Sequence, residues 1–160
     1  MIRKATTDDA AAIAAIYNPF ILDTTVTFEE TPLSAVEMAA RIASIAATHP
    51  WLVDAEGSSI RGYAYASPWK ARSAYRHCAE CTIYLAPAAR GRGIGTALYS
   101  ALVEELRRRG FHALLGGIAQ PNEASVALHE KLGFRKVGQL LEVGWKFERR
   151  IDVGYWELLL

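Results

Sequence analysis

The chain has 160 residues, of which 51% are hydrophobic and 22% charged, and its formal net charge is +1. These values are typical of one globular domain of ordinary size, and they give no reason to expect a nucleic acid or a membrane surface as a partner. No apolar run approaches the roughly 20 residues that a bilayer requires. No signal-peptide core follows Met1, so we expect a cytoplasmic protein.

Two helices and a β-hairpin are predicted for the first half of the chain. In order, they are a strand at 2–6, a helix that begins near Thr7 or Asp8 and is disturbed near its end by Pro19, a helix from Ser34 to about Ala47, and strands at 51–55 and 60–67. The second helix is expected to bury one side, consisting of Val36, Ala39, Ala40, Ile42 and Ala43.

Strands and helices alternate in the second half. After a loop at 68–76 come a strand ending near Leu85, a helix to about Arg109, a strand at 114–119, a helix at 123–132, strands at 134–143 and 152–160, and between these two a polar turn at 144–151. The order β-α-α-β-β-β-α-β-α-β-β predicts an α/β (α+β) fold in which helices cover both faces of a mixed sheet.

The two cysteines, Cys78 and Cys81, have the spacing C-x-x-C. A zinc site would need a second pair or histidines at ligand spacing, and a redox pair normally lies at a helix start rather than in a strand. We therefore predict packing roles for both thiols and no metal site.

Residues 80–96, ECTIYLAPAARGRGIGT, carry the strongest functional signal. Strand formers lead to Pro87, a glycine-rich turn spans Arg90 to Gly95, and a helical pattern follows. Glycines allow the backbone to approach a ligand and to direct several N–H groups into one concavity. The helix start adds a partial positive charge, and Arg90 and Arg92 add full charges. The stretch therefore predicts an anion site suited to a pyrophosphate.

Two common phosphate-binding loops do not fit this turn. There is no Gly-Lys-Ser/Thr triplet, and the G-x-G-x-x-G spacing fails because Thr96 and Leu98 stand where the third glycine belongs. The remaining pattern, Arg-x-x-Gly-x-Gly, resembles the coenzyme A pyrophosphate loop of the GNAT superfamily of N-acetyltransferases. The resemblance implies a set of residues that bind acetyl-CoA: Ile83, Tyr84, Leu85, Arg90, Gly91, Arg92, Gly93, Ile94, Gly95 and Thr96.

Three further stretches resemble the phosphinothricin and methionine sulfoximine N-acetyltransferases of that superfamily. They are 25–32, 68–84 and 120–134. The resemblance covers the whole chain and implies a single acetyltransferase domain over residues 1–160. It also implies a mostly antiparallel sheet of about seven strands splayed around the central strand, acetyl-CoA as co-substrate, a small amine or amino-acid acceptor, and a homodimer.

The reaction implied by this resemblance needs a group that accepts a proton. An α-amino group is largely protonated at neutral pH and cannot attack a thioester in that form. The family pattern marks Glu80 as the base, and an apolar setting would raise its pKa. His129 follows Asn122 by seven residues, where much of the superfamily has a tyrosine that protonates the leaving thiolate. A histidine can be acid or base, so the roles of Glu80 and His129 could be shared or swapped.

The resemblance also suggests positions for the two substrates. Asn122 and Ser125 resemble contacts to the pantetheine arm, and Asn122 can also cap its helix. Arg72 is predicted to bind the acid group of the acceptor, because a guanidinium matches a carboxylate or phosphinate in a fork. Phe28 and Tyr75 are predicted to cover the aliphatic part of the acceptor.

The closing turn departs from the family pattern. Where the branch reads Lys-Phe-Gly-x-Trp, this chain has Glu148 in place of glycine and Arg150 in place of tryptophan, so the acceptor site and the dimer contact are less well defined. Lys70 is interpreted as a solvated loop charge. Two alternatives remain open, namely an acetyltransferase with another acceptor (a polyamine, another amino acid or a protein N-terminus) and a non-catalytic CoA-binding sensor.

Overall fold

The computed structural model describes all 160 residues, which form seven strands and four α-helices. The strands are β1 (Ile2–Lys4), β2 (Trp51–Glu56), β3 (Ser59–Pro68), β4 (Cys78–Leu85), β5 (Ala113–Ala119), β6 (Arg135–Lys146) and β7 (Arg149–Leu159). The helices are α1 (Ala10–Asp23), α2 (Ala35–Ala46), α3 (Ile94–Arg108) and α4 (Glu123–Lys131). The strands form one sheet in the order β1-β2-β3-β4-β5-β7-β6, in which only β4 and β5 are parallel. The predicted mixed, mostly antiparallel sheet is confirmed.

Each face of the sheet is covered by helices. Successive strand residues point to opposite faces, and β2 shows the consequence: Trp51 and Val53 pack with α1 and α2, whereas Leu52 packs with α3. The core on the α3 side also includes Ala79 and Cys81 of β4. The prediction of helices on both faces of the sheet is confirmed. No helix is long and apolar enough to cross a bilayer.

The structure corrects two details of the helices. α1 continues through Pro19 to Asp23, because Pro19 lies on the exposed side of the helix, where the carbonyl left without its N–H partner can meet water. In α2 the buried residues are Met38 and Ile42, while Val36 is 80% exposed. The predicted buried face was therefore wrong at Val36, Ala40 and Ala43, which are all exposed.

The closing hairpin is longer than predicted. β6 and β7 run up to a two-residue turn in which Phe147 and Glu148 have φ values of 50° and 56°. Two left-handed residues in succession are typical of a type I′ turn, whose twist matches that of the flanking strands. The predicted polar turn at 144–151 was therefore too long, because Gly144–Lys146 and Arg149–Ile151 pair as strand.

The two central strands separate halfway along their length. β4 pairs with β5 only where Cys78, Ala79 and Glu80 face Ala113, Leu114 and Leu115. Beyond that point β4 pairs only with β3, and β5 pairs only with β7. Residues 81–85 and 116–119 therefore present two open strand edges to each other. This is the splay that the resemblance implied.

Candidate active site

Three cavities follow one another along the gap between β4 and β5. The Glu80 cavity has a volume of about 200 Å³ and is lined by Val26, Phe28, Glu80, Gly117, Ala119, Val153 and Tyr155. The slot between the strands, of about 90 Å³, leads to an outer cavity of about 230 Å³. Val26 lines all three, while Ile83, Tyr84, Asn122 and Ser125 line both the slot and the outer cavity. The three spaces thus form one path through the site.

Glu80 lies where the strands begin to separate. Its neighbours Ala79 and Cys81 are buried on the α3 side, so its side chain points to the opposite face, into the Glu80 cavity. Burial raises the pKa of the Glu80 carboxyl, and the charge of Lys70 partly opposes this rise. No hydrogen bond from the protein contributes to its pKa. The carboxylate is therefore more basic than an ordinary glutamate and has its lone pairs free.

A glycine in β5 makes room for this carboxyl group. A Cβ added to Gly117 would lie 2.9 Å from Glu80 Oε1 and 3.2 Å from Tyr155 Cε1. The neighbouring Gly116 faces the other side of the sheet, where a Cβ would overlap the imidazole of His129. The glycine pair thus lets one titratable side chain approach each face of β5.

His129 is 3% exposed and lines the slot, and it approaches the opposite face of β5 from Glu80. Its Nδ1 is 2.7 Å from the Ser125 carbonyl oxygen, and its Nε2 is 2.9 Å from the Tyr99 hydroxyl. A carbonyl can only accept, so we infer that Nδ1 carries the hydrogen and that Tyr99 donates to Nε2. Burial lowers the pKa of His129, although its hydrogen bond with Ser125 opposes this. The ring is therefore neutral, with both nitrogens engaged.

The slot is bounded by the start of α4. The Asn122 side chain accepts a hydrogen bond of 3.2 Å from the Ser125 N–H and so caps the helix. Across the slot lies the open edge of β4, where Ile83, Tyr84 and Leu85 pair only with β3. Alternate backbone groups along such an edge remain free to bind an extended chain. Four predicted binding residues therefore line one slot: Ile83, Tyr84, Asn122 and Ser125.

The glycine-rich turn has the geometry of an anion cradle. Gly91 and Gly93 have φ values of 70° and 76°, which glycine adopts without strain. Gly93 is the N-cap of α3, so the N–H groups at 94–96 have no partner within the helix. Arg90 lines the outer cavity, and its guanidinium lies 5.2 Å from the Phe20 ring centroid. A polyanion bound here would meet free N–H groups, the helix dipole and two nearby arginines, Arg90 and Arg92.

The predicted acceptor residues are only partly brought together. Phe28 lines the Glu80 cavity, whereas Arg72 and Tyr75 are exposed on a flanking loop and line none of the three cavities. Lys70, interpreted from sequence as a solvated charge, is exposed, and its charge also lowers the pKa of Glu80. Its Nζ lies 4.8 Å from the Trp69 ring centroid, and Trp69 meets Tyr155 of the cavity edge-on at 5.3 Å.

Sequence reasoning missed several residues of the site. They are Val26, Tyr99, Gly116, Gly117, Ala119, Val153 and Tyr155. The Gly116-Gly117 pair did carry a signal, because glycine inside a strand often marks a close approach of another group. The others are ordinary apolar or aromatic residues, whose positions depend on the sheet order.

Comparison with known proteins agrees with this geometry. The acetyltransferase (GNAT) family model matches residues 13–134. A phosphinothricin N-acetyltransferase of Streptomyces coelicolor is 40% identical over 160 residues, covering 98% of this chain and 94% of the relative. An L-methionine sulfoximine/L-methionine sulfone acetyltransferase of Salmonella typhimurium is 36% identical over 163 residues, covering 99% and 94%.

A solved structure extends the comparison to three dimensions. It is a GNAT superfamily phosphinothricin acetyltransferase from Sinorhizobium meliloti in complex with AcCoA. The TM-score is 0.96 at 38% identity, and the match covers 100% of this chain and 88% of the other. The chain therefore belongs to the acetyltransferase (GNAT) family and is an acetyl-CoA-dependent N-acetyltransferase.

Proposed function

We propose that this enzyme acetylates the α-amino group of a small amino-acid-like acceptor of the phosphinothricin or methionine sulfoximine type, by direct transfer in a ternary complex. The observation that carries the proposal is the Glu80 cavity, a small space lined mainly by hydrophobic residues, with one carboxylate of raised pKa at the opening between the strands. Its volume of about 200 Å³ lies below the roughly 300 to 1,000 Å³ of drug-sized sites, which favours a compact acceptor. The names of the two relatives support the same class of acceptor.

The residues along the slot suit acetyl-CoA, whose thioester supplies the activated acetyl group when bound. The turn from Gly91 to Thr96, flanked by Arg90, would hold the pyrophosphate through backbone N–H groups and positive charge. The open edge of β4 would pair with the amides of the pantetheine arm as an added strand does. Asn122 and Ser125 close the other side.

We assign the general base to Glu80. It faces the acceptor cavity, its pKa is raised by burial, and it lacks a protein hydrogen-bond partner that would compete with the amine. His129 faces the slot from the other side and is held neutral between Ser125 and Tyr99. In this proposal His129 shapes the slot and holds a proton at Nδ1. The imidazole can exchange a proton at Nε2 only together with the Tyr99 hydroxyl that is hydrogen-bonded to this nitrogen.

The acid group of the acceptor would bind to the loop that follows β3. Arg72 remains our choice for the fork-like contact, and Lys70 is a second cation on the same loop, close enough to influence Glu80. Tyr75 would cover the acceptor only if this loop folds inward. Comparing Arg72→Ala with Lys70→Ala separates the two cations, since the residue that binds the acid group should raise the acceptor KM when it is removed.

We also propose that the enzyme is a homodimer that works in the cytoplasm as one domain over residues 1–160. The edge strand β6 exposes Leu140, Leu141, Val143 and Trp145, each between 48% and 70% exposed. Such a row on a sheet edge favours association with a second copy. Leu141→Glu should convert a dimer into a monomer in light scattering. Both cysteines are free thiols, in accordance with a reducing compartment.

The experiment that tests the activity is free-thiol release from acetyl-CoA. The acceptors are L-phosphinothricin, L-methionine sulfoximine, spermidine and unmodified amino acids. Turnover with the first two alone supports the proposal. Turnover only with another amine would mean that the acceptor is of a different class. Tight acetyl-CoA binding without turnover would favour a non-catalytic CoA-binding sensor.

A further inference from the structure

The loop at residues 24–32, here called the cleft loop, forms one wall of the site. Val26 lines all three cavities, and Phe28 lines the Glu80 cavity. The loop has no regular secondary structure, so its position depends on contacts made with other elements. Glu29 provides one, through hydrogen bonds of 2.6 and 3.0 Å from Arg41 of α2.

The second anchor is the end of β6. Gly144 and Lys146 are buried, whereas Val143, Trp145 and Phe147 are exposed. This alternation places residues 144 and 146 on the same inward face of the strand. A glycine and a lysine are unusual inward residues, because glycine contributes no side chain to a core and lysine is almost never fully buried without a partner.

Both residues are explained by the cleft loop. The Phe28 ring lies directly against Gly144, where a Cβ would overlap it. Lys146 is 1% exposed, and its Nζ donates a buried hydrogen bond of 2.8 Å to the Thr27 carbonyl oxygen. The lysine therefore binds the main chain between Val26 and Phe28, the two residues that line the cavities.

The carbonyl is the lysine's only hydrogen-bond partner. Two carboxylates, Glu30 and Glu29, act on Lys146 through their charge, but neither forms a salt bridge with it, and Glu29 is engaged by Arg41 and Tyr17. A buried ammonium group that binds a main-chain carbonyl fixes the position of the backbone more than it neutralises a charge. Losing the ammonium would leave that carbonyl buried and unpaired, which favours displacement of the loop.

We propose that Lys146 is a positioning residue of the acceptor site, which holds the cleft loop at Thr27 so that Phe28 closes the Glu80 cavity against Gly144. The inference rests on the proposed function for its kinetic consequence, but not for its structural one. It makes acceptor binding depend on the β6–β7 hairpin, which lies far from residues 24–32 in the chain.

The test compares Lys146→Met with Lys146→Arg, Gly144→Ala and the control Lys136→Met. Methionine keeps most of the apolar stem and loses the donor, and arginine keeps a donor. Lys136 lies on the same strand but is exposed and pairs with Gln139. The first measurement is amide hydrogen exchange of residues 24–32, with α3 as an internal reference. The second is the KM for L-phosphinothricin and for acetyl-CoA.

Lys146→Met should speed exchange in the cleft loop about tenfold, the ratio expected when one charge-assisted hydrogen bond is lost, with α3 unchanged. It should raise the acceptor KM by a similar factor and the acetyl-CoA KM less, because Phe28 lines only the acceptor space. Lys146→Arg should restore most of both values. Gly144→Ala should raise the acceptor KM by displacing Phe28, and it serves as the test if Lys146→Met does not fold.

Unchanged exchange and an unchanged acceptor KM in Lys146→Met would overturn the proposal, as would an equal effect of Lys136→Met. If the wild-type enzyme turns over no tested acceptor, the proposed function fails and hydrogen exchange alone decides the inference.

Discussion

Replacing Glu80 by glutamine tests the assignment of the base with little structural disturbance. The two side chains have nearly the same shape, and the Glu80 carboxyl has no hydrogen bond from the protein to lose. A general base contributes about 100- to 10,000-fold to the rate, which corresponds to about 3 to 5 kcal/mol of transition-state free energy. We expect kcat to fall by that factor, while the affinity for acetyl-CoA stays the same.

The pH dependence gives a second, independent signature. The pKa of Glu80 is raised above its ordinary value of 4.5 by burial, so the folded chain binds this proton more tightly than the unfolded chain. The protonated Glu80 therefore contributes to the free energy of unfolding. This contribution is fully present below pH 4.5 and is lost as the pH rises through the pKa of the folded state. Glutamine cannot ionise, so the variant should be more stable than wild type at pH 8 and lose this advantage near pH 4.

The assays are thiol release between pH 5 and pH 9 and urea unfolding at pH 4 and pH 8. The acid limb of kcat/KM should disappear in Glu80→Gln. A kcat within about threefold of wild type, together with an unchanged acid limb, would remove Glu80 as the base. Loss of activity without the gain in stability at pH 8 would mean that the carboxylate is not buried as described.

Three further predictions follow from backbone geometry and from the second proton site. Gly93→Val should raise the Kd for acetyl-CoA, measured by calorimetry, at least tenfold, because the side chain fills the cradle. The control is Gly57→Val at the similarly left-handed β2–β3 turn, which should cause the same backbone strain of about 1–2 kcal/mol but leave acetyl-CoA binding normal. Equal affinities of the two variants would refute the loop assignment. Glu148→Gly should stabilise the fold by about 0.5–1 kcal/mol in urea titration. Glycine relieves the backbone strain at φ 56°, and this gain exceeds the cost of the greater conformational entropy that glycine gives the unfolded chain. Tyr99→Phe should leave the acid limb of the rate profile at the same pH, since it removes the hydrogen bond to Nε2 of His129 without touching Glu80; a shift of that limb would identify His129 as the base.

The elements and the glycine-rich turn could be predicted because their signals are local. The turn from Arg90 to Gly95 combines glycines with an adjacent strand and helix, and its left-handed glycines are where the spacing suggests. Asn122 caps α4 as its position before the helical pattern indicates. The tight turn at Phe147 and Glu148 was missed because neither residue type favours positive φ.

The walls of the Glu80 cavity could not be predicted in the same way, because they depend on the pairing of strands that are distant in the chain. Thr27 and Lys146 are separated by 119 positions and meet only because β7 lies between β5 and β6 in the sheet. From the sequence, Lys70 is only a loop charge. Its effect on Glu80 depends on how the β3–β4 connection folds. The role of Arg72 stays a prediction for the same reason, since its loop lies beside the cavity rather than in it.

The position of the two proton-exchanging groups on opposite faces of the sheet supports a division of labour. Acetylating an ammonium group releases two protons, of which one is retained on the thiol product and one goes to water. Glu80 is partly exposed and faces a cavity that opens to solvent, so it can pass a proton to water in every turnover. His129 is enclosed by Tyr99, Ser125 and β5, and it reaches solvent only through the slot that acetyl-CoA is proposed to fill. A base that must be reset from bulk solvent is better served by Glu80 than by His129, which supports our proposal that Glu80 is the base and that the imidazole stays neutral.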